Sequence, residues 1–258
     1  KTAGHRFMSP GFVEVAEPAD YVSILRKSFV LVDPDERRKT ILEETKKAAA
    51  AVGGQVLYKD DLLEEVTFLT EYPTAVCGSF DKDYLKIPKE VLITSMISHQ
   101  KYFPVTDDGG RLLPYFITIN NTLARDPAVV RRGNEKVIRA RLADAKFFFN
   151  EDQKTPLDAR VEGLKQVIFH TLLGTSHDKV MRFSALASYI ADKVNPSLKA
   201  TVSRAARLAK ADLDTQMVNE FTELQGVMGR EYALLAGENP TVAKAIYEHY
   251  LPVSAGGE

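Results

Sequence analysis

Tryptophan is missing from this chain, and cysteine occurs once, as Cys77. A single thiol excludes an intramolecular disulfide framework and a zinc site built on several cysteines, and it makes a reducing, cytoplasmic setting the expectation. No apolar run approaches the roughly 18–20 residues that span a bilayer, and the opening "KTAGHRFMSP" lacks the charged-then-apolar pattern of a signal peptide, so no membrane partner is expected. Charge of one sign is not in excess either: 34 Lys and Arg face 35 Asp and Glu, a formal net charge of −1. That excludes a polybasic binder, and any contact with nucleic acid has to come from a local patch. Gly-rich phosphate loops, a nucleophile elbow, Cys/His zinc motifs, internal repeats and low-complexity tracts are all absent. The chain lacks an initiator Met and ends in "LPVSAGGE" after a helical pattern, which reads as a piece of a longer chain.

What is there is ordinary globular material: 258 residues, 45% hydrophobic, enough for one large domain or two smaller ones. The first half alternates helix and strand signals. Asp33-Pro34-Asp35-Glu36 sets an N-cap, a proline at the first helical position and a glutamate three residues past the cap, and Gly53-Gly54 closes that helix. "QVLY" and "VTFLTEYPTAVCGSF" read as strands, and Pro88 opens a second helix, "PKEVLITSMISHQKYF". An Asp-Gly turn within "VTDDGGRLLPYFITINN" predicts a hairpin whose second strand, Leu112 to Ile119, is apolar on both alternations and therefore covered on both faces. From Gly133 onward strand signals vanish. Helices are expected to open at Asn134, at Pro156 after a Thr155 cap, near Asp178, near Leu198 after a Ser197 cap, near Glu223 and at Pro240, with stops at Gly174, Asn195-Pro196 and Gly237. The fold class is α+β: a mixed α/β domain over 1–153 followed by a helical domain over 154–258.

Three stretches could carry chemistry. On a helix, "GNEKVIRARLADAKFFFNEDQK" places Ile138, Leu142, Ala145 and Phe149 in one apolar stripe, widened by Val137 and Phe148. Lys136, Arg139 and Lys146 align on another side, with Arg131 and Arg132 just upstream, and Arg141 and Asp144 stand close enough to pair as a structural support. Such a basic ridge is either a solvated helix face or a set of phosphate contacts to a nucleic-acid backbone. In "SHQKYF", His99 falls on the apolar stripe and is a core histidine or a catalytic one, while Lys101 lies opposite and is the better ligand candidate. In "GTSHDK", His177-Asp178 has the adjacent pair used by metal-dependent HD phosphohydrolases; Asp212 could add a carboxylate, but the ligand set is incomplete and no metal site or catalytic residue is assigned. Asp178 is equally explained by a helix N-terminus.

In order along the chain, "TAGHRF", "LLEEVTFLTEYP", "IPKEVLITSMISHQKYFPV", "GNEKVIRARLADAKFFFNED", "KADLDTQMVNEFTELQGVMGREYA" and "AIYEHYLP" resemble the beta subunit family of bacterial tetrameric glycyl-tRNA synthetases, over essentially the whole length. The resemblance implies an aminoacyl-tRNA synthetase subunit that supports ATP-dependent charging of tRNA(Gly). Its partners would be tRNA(Gly) and a catalytic alpha subunit in an alpha2beta2 enzyme, with ATP and Mg2+ bound by the alpha subunit and no cofactor here. It further implies a first domain like the B3/B4-type domain of the phenylalanyl-tRNA synthetase beta subunit and a truncated HD-like second domain. On this reading Arg131, Arg132, Lys136, Arg139 and Lys146, with Lys101, are the tRNA-binding candidates. A structural arm docking on the alpha subunit, and an HD-type metal phosphohydrolase, are the alternatives.

Overall fold

The structure, a computed structural model, describes residues 1–252 and Ala255. The chain packs as two units, Lys1–Ala143 and Asp144–Glu258, and it is α+β in class. Among the described residues no helix is long and apolar enough to cross a membrane.

The first unit begins with an antiparallel pair, β1 (Thr2–Ala3) and β2 (Phe12–Val13), and helix α1 (Tyr21–Lys27). Between the two strands His5 is buried. Its Nδ1 accepts from the Phe7 and Met8 amides, so Nε2 carries the proton and donates to the Asn121 carbonyl at 2.6 Å. The Asn121 side chain in turn accepts from the Glu71 and Tyr72 amides at 2.7 and 2.9 Å. Helix α2 (Pro34–Ala50) starts as its Asp-Pro signature predicts, with Asp33 accepting from the Asp35 amide at 2.9 Å. Glu36 does not close a capping box; it pairs with Arg26.

After β3 (Gln55–Val56) comes α3 (Asp60–Leu69), which corrects one expectation. Val66–Leu69 reads as strand in the sequence but is the last turn of this helix, because Leu62, Leu63, Val66 and Thr67 form a buried stripe at helical spacing that outweighs the β-propensity of Val-Thr-Phe. Only β4 (Thr74–Ser79) of that stretch is extended. Helix α4 (Lys89–Gln100) follows Pro88, and β5 (Phe103–Thr106) and β6 (Leu112–Asn120) form the hairpin. Its turn is held by Asp107, which accepts from the Gly109 and Arg111 amides, while Gly110 takes a φ of +74° that a side chain would resist. The sheet runs β3-β5-β6-β4 with antiparallel neighbours, so β6 is paired on both edges, and no residue from Leu112 to Asn120 is exposed. Ile41, Leu63, Ile97, Phe103, Val105 and Ile117 are among the core that α2, α3 and α4 close against this sheet. Gly78 stands opposite Phe116, and a Cβ there would lie 2.5 Å from the ring.

Helix α5 (Pro127–Asp152) opens seven residues earlier than expected at Asn134. Asp126-Pro127 repeats the α2 signature, with Asp126 accepting from the Ala128 amide at 2.9 Å, and Gly133 is an interior residue rather than a boundary.

The second unit contains α6 (Leu157–Gly163), α7 (Ser176–Val194), α8 (Lys199–Leu208), α9 (Gln216–Glu220), α10 (Val227–Leu235) and α11 (Pro240–Glu248). It is not free of strand: β7 (Ile168–His170) and β8 (Gly174–Thr175) form a hairpin whose brevity leaves no periodicity to read, and Gly174 serves its turn at φ +87° instead of ending a helix. Thr155 does not cap α6, whereas Thr175 and Asp178 make a full capping box on α7. Asn195, not Ser197, accepts at the 3-10 turn Pro196–Leu198 that leads into α8. Glu223 falls in another such turn before α10, and Pro240 opens α11 as read from the sequence, with Asn239 adding a cap that accepts from the Thr241 amide at 2.8 Å. Leu164, Val180, Leu208, Met217, Met228 and Ile246 lie in the core of this unit.

Candidate nucleic-acid interface

Helix α5 builds the basic ridge by burying one face. Ile138, Leu142 and Ala145 are fully buried, as the stripe predicts, and Phe149 is half-buried with its ring stacked on Tyr232. Val137 is exposed, so the apolar stripe is narrower than expected. Two polar anchors fix the N-terminal part of the helix in the first unit. The Tyr102 hydroxyl donates to Asn134 Oδ1 at 2.6 Å, from a ring stacked on Phe116, and the Ser79 amide and hydroxyl both donate to Glu135 Oε1 at 3.0 and 3.1 Å. Burial raises the Tyr102 pKa, so the hydroxyl keeps its proton for that bond. Neither of these two anchors was identifiable from the sequence, because the partners of each are far apart along the chain.

With that face held, Arg131, Arg132, Lys136 and Arg139 are exposed, and among the described residues none of the four has a salt-bridge partner. Lys146 is half-buried and engaged. Glu135 lies among the cations, but its carboxylate is occupied by Ser79. Arg141 and Asp144 are both exposed and form no salt bridge with one another; an exposed pair of this kind gains little over separate hydration. A cleft of about 520 Å³ opens beside Arg139, lined by Ser79, Phe80, Asp81, Tyr84 and Glu135. Cys77 is behind this region; burial first and Glu135 second push its thiol up, against the Arg131 charge, so it is protonated and unreactive at neutral pH.

The other sequence candidates are placed elsewhere. Lys101 caps α4 in a left-handed conformation (φ 57°), and its ammonium pairs with Glu65 at 2.9 Å. His99 is half-buried on the same helix, one turn from buried Met96, but the expected stripe does not reach Phe103, because α4 ends at Gln100 and Phe103 opens β5. His177 Nε2 lies 3.9 Å from Glu162. Asp178 is committed to the α7 cap, accepting from the Thr175 amide and hydroxyl at 2.8 Å, which hold its carboxyl below the usual range. Asp212 is fully buried, and one of its oxygens accepts from the Gly226 and Gly229 amides at 2.6 and 3.1 Å. Among the described residues no group of three or more His, Cys, Asp or Glu side chains is arranged to hold a metal ion.

Comparison with known proteins gives this geometry a context. The chain is 71% identical over 255 residues to a glycine-tRNA ligase beta subunit of Syntrophus aciditrophicus, an alignment covering 99% of this chain and 37% of that protein. Identity to the proteins of the same name from Geobacter sulfurreducens and Trichlorobacter lovleyi is 56%, with the same coverage. The chain therefore spans 37% of the length of the curated relatives it matches. The family described as glycyl-tRNA synthetase beta subunit matches residues 1–258, and the chain belongs to that family.

Proposed function

We propose that this chain is the part of a glycine-tRNA ligase beta subunit that binds tRNA(Gly) and positions it for a separate catalytic alpha subunit, in a cytoplasmic alpha2beta2 enzyme that supplies ATP and Mg2+ chemistry through the alpha subunit. On this reading residues 1–153 form a B3/B4-like domain and 154–258 an HD-like domain. The observation that carries it is the set of four exposed cations without protein partners on an α5 whose other face is anchored and buried. Side chains that neutralise no protein carboxylate are available to neutralise phosphates, and the gain comes from counterion release. Arg131, Arg132, Lys136 and Arg139 hold the acceptor arm or its single-stranded end; Lys146, already engaged, and Lys101, paired with Glu65, are secondary candidates.

The test is tRNA(Gly) binding to the full-length beta subunit, with its alpha partner, over a salt series. Log affinity should fall with log salt at about −0.9 per neutralised phosphate for duplex contacts, and Arg139→Ala should remove about one such unit. An unchanged slope and affinity in Arg139→Ala would sink the role of the ridge.

A second reading, a structural arm that docks on the alpha subunit, draws on the exposed aromatics Phe7 and Phe12, 75% and 80% accessible on the β1–β2 hairpin. Capture of the alpha subunit in the absence of RNA, abolished by replacing both with Ser, would favour it. The HD-type phosphohydrolase reading has less support, since Asp178 is spent on a helix cap.

A further inference from the structure

Within the second unit, α7, α8 and α11 enclose a cleft of about 570 Å³ whose lining is apolar except at a few points. Its walls are short: Ala187 of α7, Ala205 and Ala206 of α8 with Ala209 at its C-cap, and Ala245 of α11, with Phe183 and His249 the rings among the described lining residues. Small side chains over so many positions leave room for a flat body. Two lysines, Lys179 and Lys210, enter the same cleft, both half-buried, and among the described residues neither has a carboxylate within salt-bridge distance. Each ammonium is instead seated on a ring: Lys179 Nζ lies 3.7 Å from the Phe169 centroid and Lys210 Nζ 3.5 Å from that of Tyr250. Desolvation and the neighbouring Lys179 charge bring the Lys210 pKa down to about 8, so it remains charged at neutral pH at a cost that an anion would relieve.

We propose that this cleft binds a nucleotide unit, its phosphate between the Lys179 and Lys210 ammonium groups and its flat, largely apolar body against Phe183 and the alanine face of α8. Two ammonium point charges suit a phosphate, whereas a carboxylate is better met by an arginine fork. The volume lies in the range that encloses a small ligand. Thr201 and Thr241 supply hydroxyls in the lining, the small number of polar groups that fixes orientation in such sites. His249 adds an acceptor: its Nδ1 donates to the Ile246 carbonyl at 2.6 Å, which leaves the Nε2 lone pair for an amino or hydroxyl group. The inference does not depend on the α5 ridge. The same chemistry comes from a free mononucleotide or from the terminal nucleotide of an RNA strand.

Calorimetric titration of the full-length beta subunit with AMP tests it, with inorganic phosphate, adenosine and a CCA trinucleotide as the other probes. AMP should bind, and phosphate and adenosine alone should each bind at least about tenfold more weakly, a difference of about 1.4 kcal/mol. Lys179→Met and Lys210→Met should each weaken AMP by about tenfold or more, while Lys210→Arg, which keeps the charge, should lose less. CCA displacing AMP would identify a strand end as the ligand, and AMP binding that CCA leaves untouched would identify a free nucleotide; both support the site. No AMP binding, or AMP binding indifferent to both Met variants, would overturn it. Arg139→Ala should leave AMP binding intact, so failure of the ridge and failure of the cleft are read separately.

Discussion

Arg160 and Asp152 form a buried ion pair, with Nη2 3.1 Å from Oδ1 and side chains 7% and 0% exposed. The pair is the centre of a network in the second unit. Arg160 also donates to the Asp152 and Asp214 carbonyls at 2.6 and 2.7 Å, and Asp152 accepts from the Gln216 and Met217 amides and the Tyr232 hydroxyl at 2.9 to 3.0 Å. Asp152 thereby satisfies the N-terminus of α9 from outside that helix. Arg160→Met should destabilise the protein by about 3–5 kcal/mol, because the carboxylate stays buried without its cation. Urea unfolding of the full-length variant checks this; a loss under about 1 kcal/mol would show that the pair is not carrying the network.

Asp212 should make stability pH-dependent. Burial pushes its carboxyl from the ordinary 3.8 up to about 6, against the Gly226 and Gly229 amides and the Lys210 charge, which favour the anion. The folded state holds the extra proton between those values, so this contribution is complete below about pH 4 and is lost as pH rises through about 6, by roughly 3 kcal/mol in all. His249, whose pKa is lowered mainly by burial, acts in the opposite sense and loses its contribution as pH falls. Asp212→Asn keeps an oxygen for both amides and should uncover that opposing slope, with stability now rising from pH 4 to 6.5. Melting temperatures across that range decide it; a wild-type slope retained in Asp212→Asn would exclude Asp212 as the source.

Gly133 sits inside α5 with nothing within 4 Å of where a Cβ would stand. Gly133→Ala should therefore stabilise the helix by about 0.5–1 kcal/mol through lost unfolded-state freedom. A melting temperature that stays level or falls would show that a Cβ at this position is not free of cost.

Glu135→Gln offers a charge test of the ridge that spares its anchor. The amide oxygen can still accept from Ser79, while a negative charge among four cations is removed. Affinity for tRNA(Gly) should rise severalfold at low salt and converge with wild type at high salt, where the Debye length shrinks to about 3 Å at 1 M. Weaker binding at every salt concentration would show that Glu135 serves the interface by its charge.

How much of this could be read in the residues depended on whether a signal was local. Asp33-Pro34 and Pro240 announce α2 and α11 correctly, and the α2 rule holds equally at Asp126-Pro127 for α5, where Gly133 has the look of a boundary. The hydrophobic period places Ile138, Leu142 and Ala145 inside and the cations outside. The same period was present in "DDLLEEVTFL" but was masked by β-branched and aromatic residues that favour strand locally. What holds the ridge is not local at all: Tyr102 meets Asn134 and Ser79 meets Glu135 only once the sheet exists. The Lys179 and Lys210 cleft escapes the sequence for a further reason, since alanines spread over three helices look like helix formers, not like the wall of a cavity.

The position of His5 bears on how this protein can be dissected. Its ring supplies the proton for the Asn121 carbonyl, and Asn121 fastens the turn ahead of β4. A recombinant boundary drawn just after this histidine would leave a backbone acceptor near the end of the sheet without its donor, and the damage would surface more than a hundred residues downstream in sequence. Fusion junctions and proteolytic trimming are better placed upstream of Thr2, where β1 is still free to pair.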